Sequence, residues 1–521
     1  MKTKAGATRL LLSGLASLLG IFIVVEAAQG VLIDDERTLE VTAKLQSRVS
    51  MRLQDSEGFT YPLDIATGNL VQWRNIAYLE VQHDLRELMG TVDFLKPMKG
   101  WGVEMKYRIV GRFMYEAIYD VGPSAFQDVK NQDKEDIDSF SRQYDLWEAY
   151  VDISKGPFFT RIGKQNLSWG ETDVFRLMDL INPLDNTFGG PFEDLDDRRI
   201  PLWMLRASWN FGYIGPIAST TLEGFWVPGN WDVRVAPVAP RGTAYAAPLP
   251  EVPVPTLYEP PGKKMSNSRW GVRLMGMLAE SVNLSIGHYK SFLDTPSLLW
   301  NVEDTGTFIP NVWLAPFWDD VQVTGLAMNW WESMTDVVVR GEVAMFWDEA
   351  VFIPEISIPL VPSGIPIPGL DLLPAQGDKV EKNILRFMLG FDKSLWVRKL
   401  NKLQTFLISM QYFGQYILDY DDRIKVPVPI YPDESDYAGV REIESVVTML
   451  VNTSYMSGRL TPQAVVAYDV RGAWLVMPSI NYIFEPFRFM IQYSAVAGSF
   501  TNFGFFRDRD QITFIFSYLL N

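Results

Sequence analysis

The feature that most constrains this chain is a strict alternation of apolar and polar residues, repeated many times along the sequence. In residues 39–53 the odd positions are almost all apolar and the even positions are polar, and residues 101–116 repeat the pattern. Alternation with period two places successive side chains on opposite faces of a β-strand. The charged members of these two segments are Lys44, Arg48, Arg52, Glu104, Lys106, Arg108, Arg112 and Glu116.

The length of the alternating segments separates a membrane barrel from a soluble sandwich. Globular strands usually stop near about five or six residues, whereas a strand that crosses a bilayer needs about 9 to 11. The segments here are of the longer kind, as residues 405–418 and 487–497 also show. Because unpaired backbone groups facing hydrocarbon are costly, such a sheet must close on itself. The sequence therefore predicts an all-β fold, a transmembrane antiparallel β-barrel.

Tight turns alternate with long connections along the chain, as they do in outer-membrane barrels with short periplasmic turns and long external loops. Counting on this basis predicts about 18 strands, with 16 as the alternative, and an even number places both termini in the periplasm. The predicted strands begin near residues 38, 72, 101, 142, 158, 203, 217, 268, 281, 318, 335, 383, 402, 441, 461, 474, 487 and 510.

The N-terminus has the organisation of an export signal. An apolar run from Leu10 to Val25 follows Lys2, Lys4 and Arg9, which indicates a signal peptide over residues 1–27 and a barrel over residues 28–521. An uncleaved anchor helix is the alternative. We expect a protein of the Gram-negative cell outer membrane, in contact with lipid, lipopolysaccharide and the outer-membrane assembly machinery.

Composition argues against several functional classes. The formal net charge of −16 makes the chain a poor ligand for nucleic acid. Without cysteine and with only His83 and His288, it offers little for an enzyme, so we expect no catalysis and no cofactor. The acidic clusters Asp133–Asp138 and Glu193–Asp197 lack the spacing of a Ca²⁺ loop, so we expect solvated loop charge rather than a metal site.

The stretch from Gly170 to Pro201 is too long for a turn, and Thr172–Leu180 has helical spacing after a residue that could cap a helix. We expect this stretch to fold inward as a constriction, or else to be a loop that neighbouring side chains merely buttress. The candidate pore residues at this point are Arg161, Lys164, Gln165, Trp169, Glu171 and Asp173.

The charged positions of the two alternating segments should also face the lumen, where they could tune selectivity or form a structural salt network. The loops Pro228–Pro261 and Ile353–Pro374 are rich in proline and apolar residues. Because exposed apolar surface is a liability, we expect them to fold over the mouth or into the lumen, or to bind a hydrophobic ligand.

Four motifs occur in order across residues 144–209: YDLWEAYVD, RIGKQNLSWGETD, INPLD and RRIPLWMLRASW. Together they resemble the proteobacterial outer-membrane barrels of the DUF1302 family. That resemblance implies a porin-like protein that works beside a resistance-nodulation-division type transporter and a lipoprotein-carrier-like protein. It implies traffic of hydrophobic or amphipathic small molecules or lipids. A general polar-solute porin and a plugged structural or partner-docking barrel remain as alternatives.

Overall fold

The structure is a computed structural model that describes residues 31–32, 38–55, 63, 65–93, 95–188, 193–237, 260–279, 281–303, 311–351, 353, 380–424 and 439–520. The predicted signal peptide and most of the two proline-rich loops lie outside the described residues. The remainder of the chain forms predominantly long β-strands, with short helices in the connections.

Eighteen strands form one closed antiparallel barrel, which confirms the predicted fold class and strand number. They are β2 (Leu39–Arg52), β3 (Leu70–Asp84), β4 (Glu104–Glu116), β5 (Arg142–Lys155), β6 (Phe158–Gln165), β7 (Leu202–Ile214), β8 (Ile217–Val227), β9 (Arg269–Leu278), β10 (Val282–Phe292), β13 (Asp320–Glu332), β14 (Val337–Val351), β15 (Val380–Leu395), β16 (Phe406–Ile417), β17 (Ile443–Asn452), β18 (Leu460–Asp469), β19 (Ala473–Phe484), β20 (Phe487–Gly498) and β21 (Gln511–Leu520).

The barrel closes because β2 pairs with both β3 and β21. Every other barrel strand pairs with the strands before and after it in the ring. A two-residue strand, β1 (Val31–Leu32), adds to β2. Between β10 and β13 the chain forms a separate hairpin of β11 (Ser297–Glu303) and β12 (Asn311–Phe317). Closure removes the two terminal edges that an open sheet of these strands would present to lipid.

The connections alternate between the two ends of the barrel. One end carries the turns after β5, β7, β9, β13 and β19, together with the N-terminus of β2 and the C-terminus of β21. The other end carries most of the long connections, including 117–141, 166–201, 228–268 and 418–442. We call these the short-connection end and the long-connection end.

The two faces of the wall differ as the alternation predicts. Leu79, Ile109 and Leu326 point outward and are 42–55% exposed, whereas Arg52 and Glu116 are buried. An apolar exterior around a polar interior is the architecture of an outer-membrane barrel. No helix in the described part of the chain is long and apolar enough to cross a membrane.

The helices are short and lie in the connections. They are α1 (Leu88–Thr91), α2 (Lys96–Gly100), α3 (Ile118–Val121), α4 (Ser124–Gln132), α5 (Lys134–Ser141) and α6 (Leu195–Arg198), with 3₁₀ turns at Met265–Asn267, Met456–Gly458 and Asn502–Phe506. The predicted helix over Thr172–Leu180 is wrong, because that stretch has no regular structure. Side chains of the barrel wall bind its backbone amides instead, so helical hydrogen bonds are not needed to satisfy them.

Candidate functional site

A single connection, residues 166–201 between β6 and β7, contacts opposite walls of the barrel. We call it the crossing segment; its residues 189–192 are not described. Glu193 forms salt bridges with Arg48 of β2 and Arg74 of β3. Farther back in the segment, Asp173 pairs with Arg340 of β14, the ninth strand after β3 in the ring. The segment therefore bridges the lumen.

Arg340 is the main anchor of the crossing segment. Its guanidinium donates to both carboxylate oxygens of Asp173 at 2.9 and 2.5 Å and to the Glu171 carbonyl oxygen at 2.7 Å. It also contacts Asp392 at 2.8 Å and the Ser409 hydroxyl at 3.0 Å, so two neighbouring strands orient it. A planar guanidinium suits this bidentate arrangement, which fixes the segment geometrically as well as electrostatically.

Glu342, two residues further along β14, binds the backbone of the same segment. One carboxylate oxygen accepts the Glu171 N–H and the other accepts the Met178 N–H at 3.3 Å. Gly170 lies so close that a Cβ there would stand 3.1 Å from Glu342 Oε1. The carboxylate is buried and accepts two amide donors, as a buried charge requires. Any side chain at position 170 would crowd it.

Trp169 fixes the start of the segment against β8 and β10. Its indole N–H donates to Glu223 at 2.9 Å, and its ring meets Phe225 and Tyr289 edge to face. The Arg273 guanidinium lies 5.0 Å from the ring centroid. The indole is fully buried, so both its apolar and its polar parts have partners.

The Asn-Pro-Leu-Asp motif binds the segment to itself. Asn182 is fully buried; its side-chain oxygen accepts the Leu167 N–H at 2.8 Å and its amide donates to the carbonyl oxygens of Ile200 and Gln165. The side chain of Gln165 in turn donates to the Met204 carbonyl oxygen at 3.1 Å. The motif thus joins the two ends of the segment.

Several charged residues of the crossing segment are buried. The Asp179 carboxylate accepts from Arg199 at 2.9 Å, and burial raises its pKa although Arg176 and Arg199 oppose this. The prediction that Glu193–Asp197 is solvated loop charge is wrong for Glu193, which is buried. Burial alone would raise the pKa of Glu193, but the positive charges of Arg48 and Arg74 outweigh it and lower the pKa.

The sequence-predicted residues lie in several parts of the barrel. Trp169, Glu171, Asp173 and Gln165 take part in the contacts of the crossing segment, as described above. Lys44 and Arg48 line a polar cavity, and Arg52 is fully buried in the wall. Glu104 is exposed near the short-connection end, and Glu116 accepts the Trp73 N–H at 2.7 Å.

Four of the remaining predicted residues pair with acidic side chains of neighbouring strands, in what we call the charge ladder. Arg108 contacts Glu80 at 2.8 Å and Glu148 at 2.5 Å. The other ladder pairs are Lys106 with Asp84, Arg112 with Asp145, and Arg161 with Asp152. Lys164 belongs to neither group: its ammonium donates to the Leu146 carbonyl oxygen at 2.5 Å.

Two apolar clusters occupy the long-connection half of the interior. In the first, the segment residues Leu167, Trp169, Leu177, Met178 and Ile181 pack against apolar side chains of β7, β8, β10 and β13–β16. In the second, helices α3–α5 supply Ile118, Phe126, Val129 and Ile137, which pack against Val446, Ala467, Leu475 and Val496 of β17–β20. The wall here is apolar on its inner face as well.

The short-connection half of the interior holds a polar vestibule. Two cavities of about 390 and 300 Å³ share Lys44, Asp197 and Leu519. Their further lining is mainly polar and includes Gln46, Arg48, Glu80, Arg108, Glu148, Gln463, Asn481, Arg488 and Gln492. α6 of the crossing segment supplies Asp196 and Asp197 to this lining.

The protein is an outer-membrane β-barrel: its 18 strands close into one barrel, and one long connection bridges the lumen. The family model described as "Protein of unknown function (DUF1302)" matches residues 11–520, so the chain belongs to that family. Comparison with curated proteins finds no match.

Solved structures with a similar arrangement are outer-membrane proteins. OpdK of Pseudomonas aeruginosa has a TM-score of 0.44 at 9% identity, and OccK9 (OpdG) of the same organism has 0.47 at 11%. OccAB3 of Acinetobacter baumannii has 0.46 at 10%. Each likeness covers 92% of this chain and 98% of the other. Likeness at this level says nothing about what this chain carries.

Proposed function

We propose that this protein is an outer-membrane channel for hydrophobic or amphipathic small molecules, with the crossing segment as its internal barrier. The observation that carries the proposal is the division of the lumen. Its long-connection half is packed with apolar side chains from the wall and from two connections, whereas the opposite half is a polar vestibule. A solute with apolar surface can replace such packing contacts; a hydrated ion cannot do so without losing its water.

The same division weighs against a general polar-solute porin. Such a pore needs a continuous wet path, but the segment is held to β14 by Arg340 and Glu342 and to β2 and β3 through Glu193. A permanently plugged docking barrel is the other alternative. It differs from our proposal in predicting no transfer of any solute.

We further propose that the short-connection end faces the periplasm, with both termini on that side. The polar vestibule opens toward that end, because it is lined near the starts of β2, β18 and β20 and the end of β21. A periplasmic lipoprotein-carrier-like protein, supplied by a resistance-nodulation-division type transporter, then exchanges solute there.

Two transport measurements on the purified protein test this function. Reconstituted vesicles should admit an apolar fluorescent naphthylamine faster than protein-free vesicles, and planar bilayers should show little steady ionic current. Deleting residues 170–187 should produce a steady current, because it removes the anchors to β14. Steady current of equal size before and after the deletion would support the polar porin, and the absence of dye transfer would support the plugged barrel.

A further inference from the structure

The barrel wall is notched beside the point where the crossing segment begins. β6 has eight residues, whereas every other barrel strand has at least ten. It pairs with β5 only over Ala149–Lys155, so the stretch Arg142–Glu148 has no strand partner on that side within the described residues. The Lys164 ammonium satisfies one carbonyl of this stretch, that of Leu146. The wall between β5 and β7 is therefore lower than elsewhere at the long-connection end.

An apolar cavity of about 610 Å³ lies on the outer surface below this notch. Ile109, Ile162, Leu205 and Trp226 line it and are each 41–50% exposed, which places it on the outer face. Among the described residues that line it, none is charged. Its volume is within the range of about 300–1,000 Å³ that is typical of small-molecule sites. We call it the outer-wall cavity.

The outer-wall cavity adjoins the apolar interior. Met204 lines the cavity and is itself buried in the cluster that contains Trp169, Leu177 and Met178 of the crossing segment. One layer of side chains thus separates an apolar site on the outside from the packed half of the lumen.

Lys164 lies next to this cavity in the strand register, although its side chain is not among the lining residues. The strand register pairs Lys164 with Ala149 on one side and with Trp203 on the other, and both partners line the cavity. The lysine is 2% exposed, and the Leu146 carbonyl is its hydrogen-bond partner; no salt bridge joins it to the described residues. Asp145 and Asp232 lie near it, but so do Arg112 and Arg234. Those two carboxylates already pair with Arg112 and Arg234, so the buried ammonium has no salt bridge of its own among the described residues and favours an anionic partner.

We propose that the outer-wall cavity binds an amphipathic solute with one hydrocarbon chain and an anionic head group. The chain lies against Trp203, Leu205 and Trp226, and the head group takes the Lys164 ammonium from the Leu146 carbonyl. Such a site lets solute pass sideways between the membrane and the apolar half of the lumen. This inference rests on the proposed function and narrows its substrate to anionic single-chain amphiphiles.

Photolabelling of the full-length protein in phosphatidylcholine nanodiscs tests the site directly. The probe is a diazirine-bearing dodecanoate, compared with its dodecanol analogue, and labelled peptides are mapped by mass spectrometry. Labelling by the dodecanoate should concentrate on the peptides that contain Trp203 and Trp226. Labelling spread evenly around the outer wall would overturn the proposal.

Two substitutions separate the chain site from the head-group site. Ala149→Trp fills the cavity and should reduce labelling by both probes about tenfold or more, whereas Ala464→Trp, at a half-buried outward position on β18, should not change it.

Lys164→Met should lower dodecanoate labelling about tenfold, to the level of dodecanol, because it removes a charge-assisted hydrogen bond. Lys164→Arg should restore the preference, and Lys393→Met, at a lysine of β15 that also donates to a carbonyl oxygen, should leave it intact. If dodecanoate labels the Lys164→Met variant as strongly as it labels the wild type, the assignment of Lys164 to the head group is wrong.

This labelling and the vesicle transfer assay can fail separately. If labelling is confined to the cavity but vesicles take up no apolar dye, the channel proposal fails and the binding site stands. If vesicles take up dye equally well with Ala149→Trp and Ala464→Trp, and labelling is diffuse, the channel stands and the lateral site is wrong.

Discussion

The charged side chains that face the interior do different work on the two sides of the barrel. In the charge ladder of β3–β6 they pair with one another within the wall, as Arg108 does with Glu80 and Glu148. On β14 Arg340 and Glu342 instead bind a carboxylate and backbone groups of the crossing segment. A charge paired along the wall leaves the lumen free, whereas a charge satisfied by a loop keeps the loop inside. The partner of a charged residue, and not its type, therefore decides whether the lumen beside it stays free or holds a loop.

Removing the anchor on β14 should have the largest effect. Arg340→Met leaves the Asp173 and Asp392 carboxylates and the Glu171 carbonyl without their shared donor. Arg340 is buried but the Asp173 side chain is 41% exposed, so breaking the pair should cost less than the roughly 3 kcal/mol of a fully buried pair, and the segment should loosen from β14 without unfolding the barrel. Single-channel recordings should then show steady current, and limited proteolysis should cut within residues 170–187. Unchanged current and proteolysis would mean that Arg340 does not hold the segment.

Weakening the second anchor should have a smaller effect of the same kind. Glu342→Gln keeps one oxygen acceptor for the Glu171 and Met178 amides but replaces the other with a donor. The expected loss is about 1–2 kcal/mol, seen as faster hydrogen exchange at those two amides. Glu80→Gln, which alters the ladder instead, is the matched control and should not change their exchange.

The sequence predicts the strands of the barrel well, but it does not predict the residues of β14 that anchor the crossing segment. Alternation fixes which face each residue takes, so 18 strands could be counted, and the predicted starts at 142, 158, 217 and 487 are those observed. Alternation says nothing about which loop a side chain will meet. Arg340 and Glu342 were missed for that reason, although they are the only charged residues between Val337 and Trp347. Two inward charges in this otherwise apolar stretch of β14 are the signal that could have found them.

The crossing segment was predicted with the wrong local structure for a related reason. Helical spacing in Thr172–Leu180 reflects the burial of Leu177 and Met178 against the wall. Local patterning cannot reveal that Glu342 takes the Met178 amide, or that the Tyr289 and Ser291 hydroxyls donate to the Met178 and Leu180 carbonyls. Tertiary partners replaced the hydrogen bonds that a helix would have made.

The charge ladder should respond to substitution without affecting the segment. Arg108 is a third exposed, so Arg108→Met should cost less than about 1 kcal/mol of stability. It should shift ion selectivity toward cations, because Glu80 and Glu148 lose their partner. Reversal potentials measured in the background of the 170–187 deletion test this. Proteolysis of the intact chain carrying Arg108→Met should match the wild type; cleavage within the segment would show that the two sides are coupled.

A third cluster of charges lies outside the wall, around Asp120. We expect its substitution to have the smallest effect on stability, and its pH dependence tests the comparison between wall charges and loop-binding charges. Asp120 of α3 binds Lys130 of α4 at 2.6 Å, Tyr115 at 2.8 Å and Arg142 at 3.2 Å, which ties α3 and α4 to the ends of β4 and β5. Burial opposes its ionisation, but these hydrogen bonds outweigh burial and lower the pKa to about 2.

A carboxylate with a lowered pKa stabilises the folded state above its ordinary pKa, and that contribution is lost as the pH falls through the lowered value. Protection factors for hydrogen exchange over α4 and α5, which correct for the pH dependence of the intrinsic exchange rate, should therefore be the same at pH 7 and pH 5 and should fall only as the pH falls from about 4 toward 2. Asp120→Asn should lower them already at pH 7. A fall in protection between pH 7 and pH 5 in the wild type would mean that a different group holds these helices over the apolar half of the lumen.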